Sequence, residues 1–170
     1  MSDSGKPRRK RSRGAGWQRA LKRVVSGAQN ALEIARMGRL TEPYRASFDI
    51  RHQDAKYRLR RYKGQRLKGA ADRPILLVPP LMVTSEVYDI AEDISAVGAL
   101  LRAGVDVWLC DFGKPEQVEG GMDRTLDDHV GAVIDAVRRV REITGEDVHL
   151  AGYSQGGMFC YQAAAYRESA

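Results

Sequence analysis

Residues 147–157 read DVHLAGYSQGG, and the reading of this stretch decides the fold. Val148, Leu150 and Ala151 form an apolar run of strand length, and a helix-forming GMFCYQAAAY follows within a few residues. The two are joined by Gly152-Tyr153-Ser154-Gln155-Gly156, a spacing that sets a serine on a sharp turn between a strand and a helix. Such a turn leaves little room two residues to either side of the serine, and Gly152 and Gly156 stand at those positions. Ser154 is the candidate nucleophile, and the N–H of Gln155, at the helix start, is aimed at a developing oxyanion. A second oxyanion donor is expected from the loop after an earlier strand. Pro79 and Pro80 have no N–H to give, which leaves Leu81 or Met82.

Upstream, the pattern alternates between strands and helices. Phe48 and Ile50, then Tyr57 and Leu59, alternate with polar neighbours around His52-Gln53-Asp54-Ala55, which predicts an antiparallel hairpin between Tyr44 and Tyr62. RPILLVPP is a continuous apolar run, as expected of a strand buried on both faces, and VDVWLCD is a second. A helical stretch between Asp93 and Ala103, closed by Gly104, separates them. A longer helix starts at Thr125, which Asp128 completes as a capping box; its expected core stripe is Leu126, Val130, Val133, Val137 and Val140, and Gly145 ends it. This order predicts an α/β fold, a mostly parallel sheet with helices on both faces. The last helix runs into Arg167-Glu168-Ser169-Ala170 with no capping glycine, so the sheet is expected to be incomplete, the first half of a larger one.

The leader reads differently. Residues 1–70 hold 20 Lys and Arg against 5 Asp and Glu, whereas residues 71–170 hold 8 against 17, so the net charge of +6 conceals two halves of opposite sign. Residues 1–16 have almost no apolar content and are expected to be a disordered basic tail. Across 17–40 the residues Trp17, Leu21, Val24, Ala28, Leu32 and Ala35 recur at helical spacing, an amphipathic helix that docks on the domain or lies on an anionic membrane or lipid-granule surface. KPRRKRSR is a weak nucleic-acid signal, with no stacking aromatics or base-reading module beside it. No apolar segment follows the basic run, so it does not read as a secretory signal, and no stretch approaches the roughly 20 apolar residues of a membrane span. A cytoplasmic protein, peripheral to a membrane or lipid body, is expected. Cys110 and Cys160 lack metal-ligand spacing and read as reduced core residues.

The three histidines do not complete a catalytic set. His149 lies in the strand before Ser154, His52 in the hairpin turn, and His129 in the first turn of the Thr125 helix, where its neighbours Asp127 and Asp128 cannot face it. Each reads as a surface or structural histidine. In a serine elbow of this kind the acid and the histidine follow the serine, so both are expected beyond Ala170. Asp111, at the carboxyl end of its strand, lies in active-site territory but serves equally to organise the Gly113-Lys114-Pro115 loop.

ILLVPPLMVTSEVYDI, GVDVWLCDFGKPE and TLDDHVGAVIDAVRRVREITGEDVHLAGYSQGG together resemble, in order and spacing, the N-terminal half of the polyhydroxyalkanoate synthase family. The resemblance covers residues 44–170, and implies a partial α/β-hydrolase domain there. It implies transfer of hydroxyacyl groups from coenzyme A thioesters through a covalent acyl-enzyme, with Ser154 as nucleophile and the Gln155 N–H as oxyanion donor. It is nearest to a synthase-like module at the N-terminus of bacterial acyl-CoA synthetase-type proteins, in which an adenylate-forming ligase module follows. The polymerising synthases carry a cysteine where this chain has Ser154, and a serine ester suits an esterase, a thioesterase or a single acyl transfer better than polymer growth. The expected substrate is an acyl-CoA or an ester. No cofactor is expected in the chain itself, and ATP enters only if a ligase module follows. Two other readings stay open, an acyl-CoA synthetase whose catalysis lies in a later module and a non-enzymatic module that binds an anionic surface. The oligomeric state is not legible.

Overall fold

The computed structural model describes residues 46–64, 73–81 and 84–168. The basic tail 1–16, the amphipathic helix 17–40 and Met82 lie outside the described residues. Five strands form one sheet: β1 (Phe48–Gln53), β2 (Arg58–Tyr62), β3 (Ile75–Val78), β4 (Val107–Asp111) and β5 (His149–Gly152), in the order β1-β2-β4-β3-β5. Among the described residues three α-helices accompany them: α1 (Ala96–Arg102), α2 (Leu126–Thr144) and α3 (Gln155–Glu168).

The hairpin turns where the sequence places it. Asp54 Oδ1 accepts from the amides of Lys56 at 2.7 Å and Tyr57 at 3.0 Å, so the side chain of one residue folds the backbone that follows. β1 pairs antiparallel with β2 and β2 antiparallel with β4, whereas β4, β3 and β5 form a parallel trio. The edge strand β1 is mostly exposed and carries Asp49 and Arg51, charges that discourage pairing with another chain.

Strand alternation divides the core in two. Leu76, Val78, Trp108 and Cys110 face Val133, Val137 and Val140 of α2 and Phe159, Cys160 and Ala163 of α3. Leu77, Val107 and Leu109 face the other way, onto Val97 of α1 and Tyr62 of the hairpin. Both faces of β3 and β4 are therefore covered, which is why these strands read as unbroken apolar runs. Cys110 and Cys160 are both buried free thiols, and burial pushes the Cys160 thiol up to about 11.

Two boundaries differ from the sequence reading. The stretch from 93 to 103 is a 3-10 turn (Glu92–Ile94) followed by α1, because Ser95 caps the helix by accepting from the Gly98 amide at 2.8 Å. The capping box of α2 is present, with Thr125 Oγ1 accepting from the Asp128 amide and Asp128 Oδ2 from the Thr125 amide. Its buried stripe, however, is displaced: Leu126 is 51% exposed, and His129, Ala132 and Ala136 join Val133, Val137 and Val140 on the inner face.

The connections set up the site. From β3 the chain passes through α1 to β4 on one side; from β4 it passes through α2 to β5, on the other side of β3. The segments leaving β3 and β5 thus go to opposite faces of the sheet. The carboxyl ends of β3 and β5 therefore form a topological switch point, the place where open α/β sheets bind ligands.

Candidate active site

Ser154 stands at that switch point. Its φ is 54°, the one positive value on a non-glycine residue among the described residues. A serine in the left-handed region costs about 1–3 kcal/mol and persists only where its surroundings enforce it, as they do here. A Cβ on Gly152 would overlap the backbone of Gly156 and Gly157, and one on Gly156 would overlap the carbonyl of Val78. Only glycine at both positions lets the helix start fold back against the ends of β5 and β3. The turn is closed by the Gly156 amide donating to Tyr153 O at 2.9 Å and the Gly157 amide to Ser154 O at 3.0 Å.

The serine side chain is exposed, and its hydroxyl has no hydrogen-bond partner among the described residues. Gln155 is the first residue of α3, and its N–H likewise has no acceptor among them, as expected of the first turn of a helix. Leu81 is brought to the same place: its N–H donates to Gln155 Oε1 at 3.3 Å. Pro79 and Pro80 are buried and Leu81 is exposed, so the loop after β3 presents its first available N–H beside the residue that follows the serine.

The remaining polar candidates are engaged elsewhere. His129 is buried, its Nδ1–H donates to Thr125 O at 2.7 Å, and its ring stacks on Phe159 and meets Phe112 edge-on. His52 bonds Asp54 at 3.0 Å on the hairpin. His149 is exposed on β5. Asp111 accepts from Arg58 at 2.6 Å, from Arg60, and from the Gly113 amide at 3.1 Å. Burial works against its charge, but Arg60, the Gly113 amide and Arg58 outweigh it and hold the carboxyl below its ordinary range. Asp111 thus organises the loop and the hairpin. His52, Asp54 and Asp135 bring possible ligand atoms within 4.8 Å of one another, yet Asp135 is bound by Tyr57, Arg138 and Arg139, an ion-pair network rather than an open cation site.

Sequence reading missed Tyr88. Its hydroxyl donates to Val78 O at 2.8 Å and accepts from the Tyr153 amide at 2.9 Å, joining the end of β3 to the residue before the serine. No periodicity or motif marks it, since it lies in a 3-10 turn (Ser85–Tyr88) in the middle of a long connection.

An exposed left-handed serine, between two obligatory glycines at the switch point of a helix-covered parallel trio, has the strand-turn-helix geometry of a partial α/β-hydrolase-type fold. Comparison with known proteins agrees. No protein-family model matches the chain. It is 38% identical over 109 residues to the poly(3-hydroxyalkanoate) polymerase subunit PhaC of Allochromatium vinosum, a match covering 61% of this chain and 30% of that protein. The protein of the same name from Haloferax mediterranei is 35% identical over 119 residues, covering 69% of this chain and 24% of that one. That of Cupriavidus necator is 26% identical over 153 residues, covering 82% and 26%. The chain belongs to a polyhydroxyalkanoate synthase-like family. It spans less than a third of the length of the curated relatives it matches.

Proposed function

We propose that this chain carries the nucleophile of an acyltransferase or acyl hydrolase, and that Ser154 attacks the carbonyl of an acyl or hydroxyacyl thioester or ester. The observation that carries this reading is the strained, exposed serine held by Gly152 and Gly156 at the carboxyl ends of β3 and β5. Ser154 Oγ forms a bond to the acyl carbon, and its proton passes to a base. The carbonyl oxygen becomes an oxyanion facing the Gln155 N–H, with the Leu81 N–H as second donor once the Gln155 side chain swings aside. Collapse expels the thiolate or alkoxide, which takes the proton, and leaves an acyl-Ser154 ester. Water or an acceptor hydroxyl then attacks that ester and restores the serine.

The base is a histidine oriented by a carboxylate, both supplied from outside the described residues; His52, His129 and His149 are each placed for other work. The relatives' name, poly(3-hydroxyalkanoate) polymerase subunit, supports a hydroxyacyl group as the transferred unit. A serine in place of a thiolate favours one acyl transfer per substrate over chain growth.

The test uses the protein as its native cell makes it, given a 3-hydroxyacyl-CoA. Release of free coenzyme A is expected, with an acyl adduct on the Ser154 peptide. Ser154→Ala is expected to lose both by at least about a hundredfold. An ATP-dependent ligase activity unchanged by Ser154→Ala, with no adduct, would instead assign the chemistry to another module.

A further inference from the structure

We propose that Tyr88 is a positioning residue for Ser154, its hydroxyl clasping the serine turn to the carboxyl end of β3. The inference rests on the reading of Ser154 as nucleophile and adds a residue that the elbow motif does not contain.

The β3–β5 ladder ends at the pair Val78 and Gly152. One step further the strands part, because β3 runs into Pro79-Pro80 and β5 into the serine turn. The next rung is poor: the Tyr153 amide lies 3.3 Å from Val78 O. The Tyr88 hydroxyl fills it, giving its single proton to Val78 O at 2.8 Å and taking the Tyr153 N–H at 2.9 Å. Val78 immediately precedes the loop that presents Leu81, and Tyr153 immediately precedes Ser154. One side-chain oxygen therefore fixes the serine turn and the base of the oxyanion loop relative to each other.

The phenol is itself anchored. The next residue, Asp89, is buried; its carboxylate accepts from Ser95 Oγ at 2.5 Å and from the Ala46 amide at 2.8 Å, and Ser95 caps α1. The turn that carries Tyr88 is thus tied to the start of a helix. Burial pushes the Tyr88 phenol up to about 12, so the hydroxyl keeps its proton at neutral pH and remains a donor.

Tyr88→Phe keeps the ring and removes the clasp. In the native protein, the second-order rate of Ser154 labelling by a fluorophosphonate is expected to fall about tenfold, because small displacements of a nucleophile are costly in rate. Amide exchange at Tyr153 is expected to quicken about tenfold, while that of Leu77, in the body of the ladder, stays at its wild-type value. A general loss of stability would quicken both. Wild-type labelling and wild-type Tyr153 exchange in Tyr88→Phe would overturn the clasp and leave the nucleophile reading intact. Quickened Tyr153 exchange in a protein whose wild-type Ser154 never labels would overturn the nucleophile reading and retain the clasp. Should Tyr88→Phe not fold, a polyfluorinated tyrosine at position 88 replaces it. Ionising its more acidic phenol removes the donor to Val78 O, so labelling must fall as pH rises further than in the wild type, and an unchanged pH profile would overturn the proposal.

Discussion

Asp111 and Ser154 stand at or just beyond the carboxyl ends of two parallel strands, β4 and β5, separated by β3, and differ in almost every other respect. Asp111 is buried and accepts from two arginines and an amide. Ser154 is exposed, unpartnered among the described residues, and held in a backbone conformation that serine does not prefer. Both positions are in active-site territory by topology. The difference teaches why the proposal falls on Ser154: polarity satisfied by two arginines and an amide serves architecture, whereas polarity left open on a strained backbone is where we propose the chemistry. β4 ends in a knot that closes the hairpin onto the sheet; β5 ends in a turn built to leave one oxygen free.

Substitutions at the two ends should break this comparison in opposite ways. Gly156→Ala is expected to have the largest effect: its Cβ meets the Val78 carbonyl, so the elbow cannot close. A loss of about 3 kcal/mol in denaturant unfolding is expected, with Ser154 labelling abolished. Asp111→Asn is expected to cost a similar or slightly smaller amount, about 3 kcal/mol, because Arg58 and Arg60 lose their shared anion; labelling of the folded fraction should stay near wild type.

The pH dependence sharpens that contrast. The Asp111 carboxyl is depressed in the folded chain, so its contribution is complete above the ordinary carboxylate value and is lost as pH falls through the folded one. Asp111→Asn should therefore lose less further stability than wild type on acidification from about pH 4 to about pH 2, as read by unfolding midpoints. Thr125→Ala is the smallest change. It removes one half of the capping box of α2 and should cost about 1 kcal/mol with no change in labelling, since the start of α2 is remote in role from the elbow.

What the sequence made legible follows the range of the interactions concerned. Local patterns carried the hairpin, the buried strands, the Thr125 cap and the glycine-flanked serine, because each is set by residues within a few positions of one another. The contacts that define the site's surroundings are not local. Tyr88 reaches Tyr153 across 65 positions and Arg58 reaches Asp111 across 53. Neither separation leaves a periodic trace. The placing of Leu126 on the core stripe failed for a related reason: an apolar letter in the first turn of a helix does not fix which face meets the sheet, and here His129, Ala132 and Ala136 share the inner face while Leu126 is exposed. Two prolines leave Leu81 or Met82 as the second donor; the structure sets the Leu81 N–H against Gln155, and Met82 lies outside the described residues.

No helix among the described residues is long and apolar enough to cross a membrane. Residues 1–40, for which the sequence reading leaves open docking on the domain or contact with an anionic membrane or lipid-granule surface, lie outside the described residues.

The most direct test of the central claim is the site of modification when the native protein is treated with a fluorophosphonate and digested for mass analysis. A single adduct on the peptide containing Ser154, absent from Ser154→Ala, is the expected result. An adduct on another residue, or one that persists at wild-type level in Ser154→Ala, would contradict it.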